Sequence, residues 1–122
     1  MRKYGWIPDS GDHRDKRLSV KAHRSLPDKV DLREFCSPVE NQGDTNSCVG
    51  NATASAIEQL DNRDGEYTDA SRLFIYYCAR SLRGWEGQDV GAIIRDAIKS
   101  MASKGVAKES LWKFAKENIT TA

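Results

Sequence analysis

Between residues 49 and 105 the apolar residues recur at helical spacing in three separate blocks, and no other feature constrains the fold of this chain as much. In the first block Val49, Ala52, Ala56, Ile57 and Leu60 share a face, and Asp61-Asn62-Arg63-Asp64-Gly65 ends it. Small residues at 52, 54 and 56 let this helix sit close to its neighbours. Ser71 or Asp69 caps a second helix running to about Leu82, with Phe74, Tyr77 and Cys78 buried. By propensity alone Leu73-Phe74-Ile75-Tyr76-Tyr77 could be a strand, but its length favours helix. Gly84-Trp85-Glu86-Gly87 reads as a loop. A third helix then carries Ile93, Ile94, Ala97, Ile98 and Met101 on one face, with Gly105 as its C-cap. The fold class expected is mainly α, with about three helices.

Length and charge narrow the function. A chain of 122 residues with 39% hydrophobic content and three Trp supports one small domain, or one lobe of a larger one. Its 19 basic and 18 acidic residues leave a net charge of +1, which gives no electrostatic case for nucleic acid or an anionic membrane. No apolar run approaches the length of a membrane-spanning helix, and Met1 to Pro8 lacks the apolar core of a signal peptide. Three cysteines, odd and sparse, read as reduced thiols in a cytoplasmic setting, with secretion by a route without a signal peptide as the other option. No cluster of Cys, His and acidic residues has metal-site spacing, and no cofactor is implied.

The chain divides at residue 26. Residues 1–8 hold an apolar knot around Trp6, Ile7 and Pro8. Residues 9–26 are dense in charge, Ser and Gly, with Leu18, Val20, Ala22 and Leu26 to bury, and read as a linker or extended strap. The globular pattern starts at Pro27 and runs through 27–122.

The chemistry concentrates at Cys48, which follows the polar run Pro38-Val39-Glu40-Asn41-Gln42-Gly43-Asp44-Thr45-Asn46-Ser47 and opens the first helical block. A thiolate is the reactive form of cysteine, and a helix N-terminus stabilises it through free N–H groups and the positive end of the dipole. Gln42, six residues upstream, could donate its amide to an oxyanion forming beside the sulfur. The pair points to acyl transfer. Cysteine at a helix start is usually a small buried hydrophobe; the surrounding motif favours the nucleophile.

Val30-Asp31-Leu32-Arg33, Ser37 to Gly43 and Ser47-Cys48 occur in the order of the opening stretch of the papain-like cysteine peptidases, and the chain resembles that family. Ser71 to Tyr77, Gly91 to Lys99 and Gly105 to Trp112 are similar to its bacterial members, which also favours helix at 71–77. The resemblance runs from about Leu26 to Phe114 and covers the first half of a catalytic domain. It implies the helical lobe of a papain-like α+β fold with an extended N-terminal segment, the β-rich second lobe being absent. Of the family signature only Ser47-Cys48 survives: Thr45 stands where a disulfide-bonded cysteine is usual, and Val49 where an aromatic is.

The same resemblance implies that Val90, Gly91 and Ala92 pair with the backbone of an extended peptide substrate, and that Ile93 helps wall the apolar pocket beside it. A glycine at 91 suits close backbone approach. The family's base is a His roughly 130–150 residues beyond the nucleophile, oriented by an Asn. Here the sequence reaches 74 residues past Cys48, and both histidines, His13 and His23, precede it. His13 and His23 are expected in solvent, and Cys36 and Cys78 to be inert. Asn51-Ala52-Thr53 and Asn118-Ile119-Thr120 fit the glycosylation pattern, which nothing else in the sequence supports.

Two readings follow. In the first, the chain is the N-terminal part of a cysteine peptidase acting on peptides or proteins, with Cys48 its most reactive thiol. It would be inactive until a second lobe supplies His and Asn, and the reading frame is expected to continue past Ala122. In the second, it is a stand-alone helical lobe that binds a peptide or partner protein. A half domain exposes an apolar face, which invites self-association or a partner. Residues 1–26 are a candidate pro-segment lying over the cleft, or a strap on the back of the lobe; the sequence favours neither.

Overall fold

A computed structural model describes residues 4–17, 19, 25 and 27–121. Three helices pack around a small core: α1 (Cys48–Arg63), α2 (Arg72–Ser81) and α3 (Ile94–Lys104). A parallel pair of short strands, β1 (Trp6–Ile7) and β2 (Ala92–Ile93), joins the start of the chain to the start of α3. Single 3-10 turns lie at Arg33–Phe35 and Lys116–Asn118. Among the described residues no helix is long and apolar enough to cross a membrane.

The central helix is α2. Ser71 caps it, its hydroxyl accepting from the Phe74 N–H at 3.1 Å, as the sequence suggested. The helix is buried almost all round, with Leu73, Ile75, Tyr76, Cys78 and Ala79 in the core. Phe74 and Tyr77, expected to be buried, are half-exposed at its edge and rest against Trp112, with ring centroids 6.3 Å and 5.2 Å away. The α1 helix crosses α2 at Gly50, where a Cβ would run into the Arg72 carbonyl and the Tyr76 side chain. Ala54 is also fully buried, so two small residues lie on the inner face of α1. One is Ala54, as expected; the other is Gly50.

The larger difference concerns the apolar faces of α1 and α3. Val49 and Ala97 are in the core, but Ala52, Ala56, Leu60, Ile94 and Ile98 are exposed. What α1 buries instead includes Thr53 and Glu58, whose carboxylate accepts from the Ala70 N–H at 2.9 Å and so ties α1 to the start of α2. On α3, Asp96, Ala97 and Ser100 face inward. The periodicity located both helices, but much of the stripe it marked faces an open cleft. Ile93 lies in β2 and not in α3, because its backbone is drawn into pairing with Ile7. Gly105 closes α3 as expected, with φ +75° and its N–H on the Met101 carbonyl.

The described part of the N-terminal segment is held against the lobe. Gly5 is buried, and its carbonyl accepts from the Ala92 N–H at 2.8 Å. Arg95 binds both carboxylate oxygens of Asp15 at 2.7 and 2.9 Å, and Asp9 accepts from the Arg95 backbone N–H at 3.3 Å. The Arg95 bonds hold the Asp15 carboxyl below the ordinary carboxylate range. Leu18, Val20, Ala22, His23 and Leu26 fall outside the described residues.

Candidate active site

The loop from Gln42 to Ser47 is built before the nucleophile is placed. Thr45 is buried; its hydroxyl donates to the Gln42 carbonyl at 2.8 Å and lies 2.7 Å from the Ser47 hydroxyl. Ser47 is fully buried, and Asn51 donates from Nδ2 to both its carbonyl and its hydroxyl at 3.0 Å. Hydrogen bonds therefore shape this loop at the position where the resembled family carries a cysteine, and all three cysteines of the chain are free thiols. Asn51 is consumed inside the helix by these bonds and by Arg72 at 3.4 Å, which leaves it unsuited to carry a glycan.

Cys48 is the first residue of α1 and is half-buried. Ser47, the N-cap residue, makes no side-chain capping bond to the helix, so the first-turn N–H groups have no such cap beside the sulfur. Two clefts meet at Cys48. One, of about 520 Å³, is bounded by Cys36 to Glu40 and by Asn51, Ser55 and Gln59. The other, of about 560 Å³, is almost wholly apolar, with Trp6, Leu60, Ile94, Ile98 and Met101 among its walls. Ala52 and Ala56 line both. The exposed stripe of α1 is thus the ridge between two clefts, with the thiol at its end.

Gln42 is half-buried, and its Nε2 donates to the Thr45 carbonyl at 2.8 Å. That bond fixes the amide against the loop that leads to Cys48. Val90 is exposed, beside a recess lined by Ile7, Trp85 and Gln88. Gly91 is buried at φ +92°, and its N–H donates to the Tyr76 hydroxyl at 2.9 Å. Ala92 pairs with the N-terminal segment of the same chain. Ile93 lines a polar recess with Asp9, Asp12, Arg83 and Arg95, whereas Ile94 and Ile98 are the isoleucines that wall the apolar cleft. Within the segment expected to pair with substrate, Ala92 and Ile93 are paired with Trp6 and Ile7 of the same chain.

Glycine explains how the segment comes so close. A Cβ on Gly91 would overlap the Gly5 carbonyl, and a Cβ on Gly5 would overlap the Asn46 carbonyl. Sequence reasoning missed Gly5, which lies within the apolar knot of residues 1–8 and carries no local signal of its role. It also missed Asp89 and Tyr76, whose roles depend on partners far apart in the chain. Among the described residues no group of three Cys, His, Asp or Glu is placed to hold a metal ion. His13 is exposed at the surface, its imidazole 3.7 Å from the Asp12 carboxylate.

The remaining thiols differ in environment. Cys36 is exposed, 3.6 Å from the Gln59 amide nitrogen, and Cys78 is buried on α2, where desolvation pushes its pKa up. Since the thiolate reacts, Cys78 is expected to be alkylated last at neutral pH and to catch up only as pH rises. Peptide mapping after limited alkylation at two pH values reads this out, and early labelling of Cys78 would contradict the packing of α2.

No protein-family model matches the chain. It is 29% identical over 133 residues to an uncharacterised peptidase C1-like protein of Acanthamoeba polyphaga mimivirus, an alignment covering 93% of this chain and 43% of that protein. Among solved structures it is similar to xylellain, a cysteine protease from Xylella fastidiosa, at 39% identity and a TM-score of 0.80. That match covers 92% of this chain and 43% of xylellain. The chain thus spans less than half the length of both proteins. The three helices and small sheet are the helical lobe of a papain-like fold.

Proposed function

We propose that this chain, whose fold and relatives are those of the papain-like cysteine peptidases, supplies the nucleophile half of a thiol peptidase. The observation that carries the proposal is the position of Cys48, on an uncapped helix N-terminus where two clefts meet. In this reading a peptide crosses the ridge with residues on both sides of the scissile bond. The Cys48 sulfur attacks the carbonyl carbon, and the oxygen takes up the negative charge. Gln42, oriented by the Thr45 carbonyl, donates to that oxyanion together with backbone N–H groups of the α1 N-terminus. The base that takes the thiol proton, and later returns it to the leaving amine, comes from a second lobe.

That lobe would seat against the stripe of Ala52, Ala56, Leu60, Ile94 and Ile98. The charge-poor, exposed apolar surface there supports the reading, because an uncovered patch of this kind marks an interaction face. The same patch supports the rival reading, a non-catalytic lobe that binds a peptide or partner protein. Cys48→Ala discriminates: it abolishes turnover in the first case and leaves binding intact in the second.

Residues 5–7 are proposed to act as an internal occupant of the peptide edge. Their pairing with Ala92 and Ile93, and Trp6 in the wall of the Cys48 cleft, support gating over a strap on the back of the lobe. Gly5→Ala is the sharpest test, since the added methyl meets the Asn46 backbone and expels the segment. Losing a bond worth about 1 kcal/mol shifts an equilibrium roughly fivefold. Alkylation of Cys48 relative to Cys36 should therefore rise about fivefold, with a parallel gain in peptidase rate in an active form. If both rates stay unchanged while the melting temperature falls, the segment is structural only.

A further inference from the structure

We infer that Asp89 is a positioning residue, locking the loop ahead of Cys48 and the peptide edge at Gly91 into one register. The inference deepens the peptidase reading above and rests on it. The Asn46 N–H donates to both Asp89 carboxylate oxygens at 3.1 Å, and Asn46 Nδ2 donates to the Asp89 backbone carbonyl at 2.6 Å. The Tyr76 hydroxyl donates to Asp89 Oδ1 at 2.7 Å and accepts from the Gly91 N–H at 2.9 Å. One carboxylate thus holds the backbone two residues before the nucleophile. Through a single phenol it also holds the Gly91 N–H.

The anchor is rigid for stated reasons. Tyr76 is fully buried on α2, and the guanidinium of Arg80 lies over its ring, 3.9 Å from the centroid. Bonds to a carboxylate are shorter and about twice as strong as neutral ones. A carboxylate has room for several donors, so a donor from each of two distant segments can meet on one side chain. Burial, then the bond to Asp89, push the Tyr76 phenol well above its ordinary pKa, so it remains the proton donor. These bonds join Asn46 directly to the 89–91 segment, and the thiol is only two residues beyond Asn46.

The two arms predict different kinetic faults. In Asp89→Asn the amide oxygen in the Oδ1 place still accepts from Tyr76, but the Asn46 N–H loses its Oδ2 acceptor to an NH₂ and keeps only a neutral oxygen that it shares with the phenol. The nucleophile loop loosens, and a misplacement near 1 Å costs up to about 10²-fold in rate. In Tyr76→Phe the Gly91 N–H loses its acceptor and the peptide edge loosens. We expect Asp89→Asn to lower kcat at least tenfold with KM within about twofold, and Tyr76→Phe to raise KM at least threefold.

Amide hydrogen exchange on the 122-residue chain gives a readout that needs no activity. Exchange at Asn46 should speed at least tenfold in Asp89→Asn, and at Gly91 in Tyr76→Phe, while amides of α3 keep their rates. If exchange responds so but the wild-type two-lobe enzyme shows no Cys48-dependent turnover, the peptidase reading fails and the shared anchor stands. If Asp89→Asn leaves Asn46 exchange within threefold and kcat within twofold, Asp89 positions nothing and the inference is overturned. Equal losses of kcat in both variants, tracking loss of folded protein with KM unchanged, would overturn it as well.

Discussion

Joined to a lobe carrying a histidine, this chain is expected to cleave peptides; alone, it should turn over more slowly by roughly 10²–10⁴-fold or more. The argument rests on what surrounds Cys48. The sulfur has a helix N-terminus, a cleft on each side and Gln42 in the loop behind it, but His13 sits at the surface with Asp12. Without an imidazole beside the sulfur, no group takes the thiol proton and none returns it to the leaving amine. Cys48→Ala should bring the two-lobe form down to the floor of the isolated chain. Steady-state kinetics on a fluorogenic peptide decides the matter. Cys48-dependent turnover by the 122-residue chain at the two-lobe rate would overturn the division of labour proposed between the halves.

Arg80→Met is expected to destabilise the lobe by about 2–6 kcal/mol, a large share of the roughly 5–15 kcal/mol available to a domain. Arg80 is fully buried, and its three guanidinium nitrogens donate to the carbonyls of Tyr76, Gln88 and Ile119. It therefore ties α2 to the loop before β2 and to the C-terminal turn. Burial depresses its pKa, yet the carbonyls and the Tyr76 ring hold the charge in place. Methionine fills similar volume but leaves the Gln88 and Ile119 carbonyls without this donor, at about 1–3 kcal/mol each. Arg80→Lys should recover less than half, because one ammonium cannot reach three carbonyls in different segments. Urea denaturation gives the number. A midpoint shift equivalent to less than about 1 kcal/mol would mean that water replaces Arg80 at little loss.

The two cases divide along one line, between information carried by neighbours in sequence and information carried by distant partners. Three helices, the Ser71 cap, the Gly105 stop and the polar loop ending in Cys48 were all readable, because each depends on residues within a turn or two. A cap bonds three residues ahead, and a helical stripe repeats every three or four. The direction the stripes face was not readable. Ala52, Ala56, Leu60 and Ile98 obey the same periodicity as core residues, and only the packing of α1 and α3 on α2 leaves them facing open clefts.

Ile93 shows the limit most plainly. Its sequence neighbours argue for helix, yet pairing with Ile7, from the opposite end of the chain, makes it a strand. Gly5, Asp89 and Arg80 belong with it. Each looks ordinary in its own segment, and each acquires its role from groups dozens of residues away: the Asn46 carbonyl, the Asn46 N–H, the Ile119 carbonyl. The sequence by itself determined the three helices and the order of the nucleophile motif, since local hydrogen bonding and periodicity are short-range. Only the tertiary structure decided what covers the backbone at 91–93 and what anchors it, because close approach and buried polar pairing exist only once the chain has closed on itself.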